Sequence, residues 1–451
     1  MKTHTFKGGI FPNEMKELSK DCAIVDAFPS TKTVTIPVTM GGAPNTPLVK
    51  VGDVVKRGQV IAKSDKFMSA PVHASVSGKV KKIQSCLVTG NMEVPCIVIE
   101  TDGTTDTDFM PSLDPFACTK QEALDRIRDA GIVGMGGASF PTHVKLNPPA
   151  DKKIQYILLN AAECEPYLTI DERTLLESPE KVIDGLAIVM HIVGADGIIA
   201  LETNKAYIQA GLEEAIKKSG KTNISIALCK TKYPQGCEKN IVDAILGKEI
   251  PAGGLPADAG AIISNVGTVC AISDAFRKGM PLIDRPLTIS GGAVEKPCNI
   301  RVPVGTLVSD LIPDVFTLKQ DATVKIISGG PMMGFAMPRT QFPVAKGTSG
   351  ITFLTKQETY LVDESQCINC GHCVDACPMH LTPVMMVNAL KAEDITAAKK
   401  FGLMDCIECG CCSYVCPANV RLVQRFRIGK GIVRAKMAEE KAKAATAGAS
   451  K

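Results

Sequence analysis

Hydrophobic and polar positions change period along the chain, and the changes divide it into four textures and a tail. From about Val34 to Glu100 apolar residues alternate with polar ones in short runs, TVTIPV, PLVKVGDVVKRGQVIAK, SAPVHASVSGKVKKIQ and VPCIVIE, punctuated by Gly52, Gly58 and Gly78. A period of two broken by glycine predicts strands, and the runs are too short and too close for crossover helices, so they predict a small all-β barrel or sandwich. The polar, acidic stretch 101–115 reads as a linker.

From about Thr119 to Asp284 the period alternates between two and 3.6. QEALDRIRDAG (121–131) predicts a helix stopped by glycine, IQYILLN (154–160) a strand, and the run from Ser178 through Asp196 a helix capped by Ser178 with Pro179 in its first turn. AYIQAGLEEAIKKSG (206–220) predicts a further helix with a glycine stop, and TNISIALC (222–229) the next strand. Such alternation predicts an α/β domain whose sheet is covered by helices and offers a preformed crevice for a nucleotide-sized ligand. Residues 285–354 return to short strands with one short helix near Leu307–Ile312. Cysteine motifs follow from Thr355, and an Ala/Lys/Glu tail closes the chain, helical at its start. The expected units are therefore 1–118 (β domain and linker), 119–285 (α/β), 286–354 (β-rich), 355–430 (cysteine-rich) and 431–451 (tail).

Length and composition fit this division: 451 residues exceed one hydrophobic core, and 45% hydrophobic with 22% charged residues is a globular composition. A net charge of +4 gives no bulk field for nucleic acid. The longest uncharged stretch, 33–49, holds Pro37, Pro44 and Pro47 rather than about 20 apolar residues, and the opening MKTHTFKGG lacks a signal-peptide core. The chain is expected in the cytoplasm, touching a membrane only at its surface or through partners.

The chain has 18 cysteines, and nine of them fall between Cys367 and Cys416. Cys367, Cys370, Cys373 and Cys377-Pro378 are followed by Cys406, Cys409, Cys412 and Cys416-Pro417, two copies of Cys-x2-Cys-x2-Cys-x3-Cys-Pro. This spacing holds a pair of [4Fe-4S] clusters, the fourth cysteine of each motif serving the other cluster. Cys367, Cys370, Cys373 and Cys416 are assigned to one cluster, and Cys406, Cys409, Cys412 and Cys377 to the second. Structural zinc needs only four ligands and has no use for eight in this pattern. Cys411 is left over as a packing thiol. His372 and His380 flank the ligands, where hydrogen bonds would tune potential. His191 reads as a core histidine, and Met332, Met333 and Met337 read as core of the β-rich unit. The second chemical signal is the loop GMGGASFPTHVK over 134–145. Its glycines let a ligand approach backbone N–H groups and Lys145 lies within reach of a phosphate. The dinucleotide fingerprint itself is absent, with Ser139 at its third glycine, so the pattern alone leaves phosphate cradle and tight turn both open.

This loop, NAAECEP (160–166), YPQGCE (233–238) and SNVGT (264–268) together resemble the 51 kDa flavoprotein subunit of respiratory complex I. The whole chain, from GGIFP near its start through both cysteine motifs, resembles the RnfC family, which belongs to the Rnf complex, a membrane ion-pumping ferredoxin:NAD oxidoreductase. The resemblance implies a multidomain α/β protein with a lipoyl-like barrel-sandwich, an FMN- and NADH-binding α/β domain, a β-grasp (SLBB-like) domain at 286–354 and a two-cluster ferredoxin-like helical domain. It implies that Gly134, Gly136, Gly137 and Lys145 cradle the FMN phosphate and ribityl chain, that Asn160, Ser264, Asn265 and Thr268 contact the flavin, and that Phe140 stacks on the nicotinamide nucleotide. Glu163, Glu165 and Glu238 would line the nucleotide side, with Tyr233 and Gly236 in the same cofactor-binding motif. Met135, Ala162 and Cys237 stand where the complex I protein has arginine, aspartate and glutamate.

The implied activity moves electrons between NAD(H), FMN and the two clusters, as a translocase subunit peripheral to the cytoplasmic face of the bacterial membrane. Its implied partners are other Rnf subunits, above all an iron–sulfur carrier, and ferredoxin indirectly. Two competitors have a different layout. A soluble flavin and iron–sulfur cobalamin reductase of microcompartments places its flavin domain first, and the related subunit of the sodium-pumping quinone reductase, similar in its barrel and flavin-like domain, lacks the cysteine motifs. A third, a cofactor-free structural adapter, would show no visible absorbance. Lys66 lies where carrier domains hold a modified lysine, and the scaffold reading leaves it unmodified. The bases Arg421, Arg425, Arg427, Lys430, Arg434 and Lys436, with no acid between them, suit either a solvated helix face or an acidic partner or anionic lipid surface.

Overall fold

In the computed structural model, which describes residues 3–360 and 362–448 with side chains to residue 440, the alternating pattern of the first texture becomes two facing sheets. One has the order Thr33–Pro37, Met92–Thr101, Gly78–Val88, Val54–Val55; the other has Thr46–Pro47, Val60–Lys63, Val72–His73. Val34, Ile36, Ile61, Val72, Val80, Ile97 and Ile99 fill the space between them. This is the barrel-sandwich anticipated.

The residues ahead of the barrel pair with strands and loops of the later domains. His4 bridges Cys229, Ile10 bridges Tyr233, and Ile24–Asp26 pairs with Asn299–Arg301 at the edge of the third domain's sheet. A three-residue edge strand has too little periodicity to announce itself, and only the partner sheet defines it.

The second domain is a parallel sheet in the order Ile224–Cys229, Asp196–Glu202, Tyr156–Ala161, Ala261–Asn265. Thr119 and Glu122 form a capping box on Lys120–Asp129, and Gly194, Gly220 and Gly247 end their helices in the left-handed conformation. Helix Pro179–Val193 begins where expected, but the Ser178 hydroxyl makes no capping bond. Ser178 also terminates the preceding helix, Ile170–Glu177, giving its N–H to Thr174. At Gly185 a Cβ would stand 2.0 Å from the Val269 carbonyl, so glycine lets the helices Pro179–Val193 and Val266–Arg277 touch. Because the first strand, Tyr156–Ala161, has the second on one side and the last on the other, the order reverses between Tyr156–Ala161 and Ala261–Asn265. In open parallel sheets the crevice for a ligand lies outside the carboxyl ends of such a strand pair.

The third domain is a mixed six-stranded sheet that ends with Gly350–Leu354, Lys325–Ser328 and Phe335–Met337. Its core is formed by Leu287, Ile289, Ile300, Phe342 and Phe353, and the expected helix is the 3-10 turn Val308–Leu311. Met337 joins this core, as expected. Met332 and Met333 do not: Met333 is 39% exposed and Met332 reaches Gly410. His191 is also exposed rather than core, edge-on to Phe116 at 5.3 Å. The cysteine-rich region packs Met386, Val387, Leu403, Val423 and Phe426 together under helix Leu422–Gly448; the last three residues of the expected tail lie outside the described residues. Among the described residues no helix is long and apolar enough to cross a membrane.

Candidate functional site

The two cysteine motifs fold as one device built twice. Asn369 and Glu408 are left-handed at φ 56° and 57°, Gly371 and Gly410 at 84° and 85°, His380 and Asn419 at 53° and 51°. These turns aim N–H groups at sulfur: Asn369 at Cys367, Glu408 at Cys406, Leu381 at Cys377 and Val420 at Cys416, each at 3.4 Å. Hydrogen bonds of this kind stabilise thiolates and tune cluster potential. The copies interlock, so that Cys367, Cys370, Cys373 and Cys416 line one apolar cavity and Cys377, Cys406, Cys409 and Cys412 line another. Among the described residues no three His, Cys, Asp or Glu side chains converge as they would on a single ion. The sulfurs line a space instead, which fits a cubane.

The second cavity is the inner one. Gly9 donates to the Ala376 carbonyl at 2.9 Å, the Tyr233 hydroxyl to the Cys409 carbonyl at 2.8 Å, and the fully buried Cys411 faces the Tyr233 carbonyl at 4.0 Å. Cys411 is thus a packing thiol between the two domains. The first cavity is the outer one, beside exposed Cys370 and Ile368.

The glycine loop sits over the carboxyl ends of Tyr156–Ala161 and Ala261–Asn265. Gly134 closes it by donating to Phe140 at 2.8 Å, and Met135 N–H donates to Thr268 Oγ1 at 2.9 Å. A Cβ at Gly136 would lie 3.7 Å from Asn265. Gly137, at φ 114°, needs glycine for its backbone, and nothing lies within 4 Å of where its Cβ would be. Asn265 caps helix Val266–Arg277, accepting from Gly267 at 2.9 Å and Thr268 at 3.4 Å, and gives its Nδ2 to Asp171 at 2.8 Å. Ser264 is buried beside it, while Phe140 is 38% exposed at the rim. Asn160 ties the first strand to the Tyr233–Glu238 segment, donating to the Gly236 carbonyl at 2.8 Å. The open space beside the Gly137 backbone, with polar side chains at its sides, fits the phosphate and ribityl chain of FMN.

Several expected residues are engaged otherwise than the resemblance implied. Lys145 and Glu238 form an ion pair with each other. Glu163 accepts from the N–H groups of Asp171 and Glu172, capping helix Ile170–Glu177. The Glu165 carboxylate accepts from Met332 and Met333 N–H at 3.1 and 2.8 Å, and burial pushes it up to about 7. Tyr233 is 1% exposed, and its hydroxyl goes to the Cys409 carbonyl rather than to the glycine loop. In both cases the covering group comes from a distant segment, which local sequence does not reveal.

No local pattern signals the buried charge network beneath the crevice. Arg285 donates to the Met135 carbonyl at 3.0 Å, reaching the glycine loop from the third domain. Burial, with Glu163 next, pushes Asp171 up to about 7 against the pull of Arg285 and Asn265. Lys205 bonds Glu202 and the Glu163 carbonyl, both at 3.1 Å, and Lys16 bonds the Glu165 carbonyl at 3.1 Å.

The basic run is another correction, because half of it turns inward. Arg425 pairs with Glu364 at 2.7 Å. Arg427 and Lys430 clamp Glu408 at 3.1 and 2.9 Å, Lys430 also reaches the Cys406 carbonyl, and Arg427 lies 4.9 Å over Phe335. These helix positions meet acids brought from other turns; Arg434 and Lys436 remain exposed.

A flavin-type α/β domain joined to a two-cluster domain is the make-up of an electron-transfer protein. The family model for the Nuo51 FMN-binding domain matches residues 127–274, that for the RnfC barrel sandwich hybrid domain residues 4–104, and that for a 4Fe-4S dicluster domain residues 359–417. The chain is 46% identical over 445 residues to the C subunit of the proton-translocating ferredoxin:NAD(+) oxidoreductase complex of Clostridium ljungdahlii, covering 97% of this chain and 96% of that one. It is 42% identical to the Na(+)-translocating counterpart of Acetobacterium woodii, covering 95% and 97%. To the C subunit of the ion-translocating oxidoreductase complex of Rhodobacter capsulatus it is 40% identical, covering 96% and 83%. A solved NAD+-reducing [NiFe]-hydrogenase shares the fold at TM-score 0.50 and 19% identity, over 71% of this chain and 65% of that one. The chain belongs to the RnfC family, the C subunits of the ion-translocating ferredoxin:NAD(+) oxidoreductase complexes.

Proposed function

We propose that this chain is the NADH- and FMN-binding iron–sulfur subunit of an ion-translocating ferredoxin:NAD(+) oxidoreductase complex. FMN, when bound, supplies the conversion of a two-electron hydride into single electrons for the clusters. The observation that carries the reading is the position of the inner cysteine cavity, packed against Tyr233 in the same segment whose Gly236 is tied to Asn160 at the crevice.

In this reading Gly134, Gly136, Gly137, Ser264, Asn265 and Thr268 hold the flavin, and Lys145 exchanges Glu238 for phosphate. Phe140 offers its exposed face to the nicotinamide nucleotide, and the cysteines hold their clusters as two crossed sets. The inner cluster then lies between the flavin and the outer cluster, and exposed Cys370 marks the side offered to a partner, an iron–sulfur subunit of the complex. The third domain is read as a β-grasp (SLBB-like) domain and the fourth as ferredoxin-like. With no spanning helix among the described residues, the protein attaches to the cytoplasmic face of the membrane through other subunits.

The test is to purify the chain anaerobically and assay flavin, iron and sulfide, then add NADH. One FMN, about eight irons and eight sulfides, and bleaching of visible absorbance by NADH are expected. About four irons, stoichiometric zinc or no flavin would overturn the reading.

A further inference from the structure

Cys367–Cys370 and Cys406–Cys409 are the same turn made twice, with one difference that carries charge. Asn369 and Glu408 hold the same place in it, left-handed at φ 56° and 57°, each with its N–H on a cysteine sulfur at 3.4 Å. Asn369 is neutral, whereas the Glu408 carboxylate is shared by two cations, Arg427 at 3.1 Å and Lys430 at 2.9 Å. These lie three apart on helix Leu422–Gly448 and so share a face. One acid against two bases leaves a net positive charge. Water screens it least at Lys430, whose side chain is 7% exposed and whose Nζ also binds the Cys406 carbonyl. The first motif has a carboxylate with two cations as well, Glu364 with Lys391 and Arg425, but those two side chains are 42% and 32% exposed. Their hydrogen bonds go to Glu364 and the Arg421 carbonyl, away from the cysteine turn. A buried charge acts through a lower dielectric than an exposed one, so the two turns differ in field although they share a backbone.

We infer that Lys430 sets the reduction potential of the inner cluster, raising it by holding a buried positive charge against the Cys406 turn. This rests on the two-cluster reading above and adds a residue to it. Reduction moves one electron from the reduced flavin to the cluster, with no bond made or broken there, so it adds one negative charge beside the ammonium. The ammonium favours that reduced form, because cluster potential follows the charge around it. In the reading above the inner cluster lies between the flavin and the outer cluster, so an electron leaving the flavin first meets the centre that Lys430 makes easier to reduce. Lys430 is a positioning residue: its bonds go to Glu408 and the Cys406 carbonyl, and it acts through that turn. Glu165 approaches the same loop from the second domain, 3.5 Å from the Tyr233 hydroxyl. It is the same in every variant below and cannot produce a difference between them.

The experiment breaks one ion pair from each side in the full chain, purified anaerobically. Lys430→Gln and Glu408→Gln both end the pairing of these side chains, but the first removes a positive charge and the second a negative one. Iron is assayed, and both cluster midpoints are measured by redox titration followed in low-temperature spectra of the reduced protein. The midpoint retained in Cys416→Ser, which disturbs the outer set, identifies the inner cluster. That midpoint is expected to fall in Lys430→Gln and to rise in Glu408→Gln, each by about tenfold in the one-electron equilibrium, equivalent to about 59 mV. Lys430→Arg, which keeps the charge, should stay near wild type, as should Arg434→Gln on the exposed side of the same helix. A clamp with a structural role alone would move both glutamine variants the same way, by iron loss or by shifts of one sign, and this would overturn the inference. So would wild-type midpoints in both variants, a shift confined to the outer midpoint, or an equal shift in Arg434→Gln. If Lys430→Gln alone fails to hold iron, the sign of the shift in Glu408→Gln decides. If wild type lacks about eight irons, the two-cluster reading falls; if it holds them and the midpoints stay fixed in both variants, this inference alone falls.

Discussion

The hydroxyl of Tyr233 donates to the backbone carbonyl of Cys409 at 2.8 Å, joining the α/β domain to a loop that lines the inner cysteine cavity. Both groups are buried, so the bond has no water to replace it. Tyr233→Phe should cost about 1–2 kcal/mol by orphaning that carbonyl. Iron loss to a chelator is expected to quicken, with the flavin content unchanged. Iron release as slow as in wild type would show that the bond does not hold the loop.

The crossed cavities predict an effect that jumps between motifs. Cys416→Ser should disturb the cluster held by Cys367, Cys370 and Cys373, in the earlier motif, and spare most of the iron held by Cys406, Cys409 and Cys412. Iron assay and low-temperature spectra of the reduced protein distinguish the two centres. Selective loss of the Cys406 cluster would reverse the assignment.

Neutralising the basic run should separate into two effects. Lys430→Met removes a bond to Glu408 and one to the Cys406 carbonyl, and is expected to cost about 2 kcal/mol and to hasten iron loss at any salt concentration. Arg434→Gln with Lys436→Gln should keep full iron content and ease salt release from membranes, since exposed charges are screened over about 3 Å at 1 M salt. Sedimentation with membranes and iron assay together check both.

Lys346 joins three domains, donating from the third to the Pro71 carbonyl of the barrel at 2.9 Å and the Gly131 carbonyl of the second domain at 2.7 Å. Burial pulls its amine from 10.5 down to about 7. The native state therefore binds fewer protons than the unfolded chain between about pH 7 and 10.5, and stability contributed by this group rises with pH across that window. Lys346→Met should flatten the rise. Melting measured from about pH 7 to 10 is the check, and an unaltered slope would place the dependence on another group.

Lys66 should carry no acyl or biotinyl group. Its turn is fastened to the second domain, with the Phe67 carbonyl 3.0 Å from His143 Nε2 and the Phe67 ring edge-on to the same imidazole, so it has no freedom to swing. Intact-mass analysis of the chain from its native host checks this; a stoichiometric addition at Lys66 would refute it.

Local pattern sufficed wherever one segment carried its whole message. The Cys-x2-Cys-x2-Cys-x3-Cys-Pro spacing sets the turns that bring thiolates together, the glycine stops end helices because those turns need left-handed backbone, and period two makes the barrel strands. Thus the paired cysteine turns, the α/β domain and the barrel were legible in the sequence alone. Tertiary structure decided everything that depends on a partner far along the chain. It sent residues 4–26 away from the barrel, bound Glu165 to the Met332 and Met333 backbone and Tyr233 to the Cys409 loop, paired Lys145 with Glu238, and folded Arg425, Arg427 and Lys430 onto acids that the linear run does not contain. The reason is physical: backbone propensity and side-chain period act over a few residues, whereas the fate of a charge or a hydroxyl is set by whichever group the fold brings within hydrogen-bonding distance. No local pattern encodes that distance.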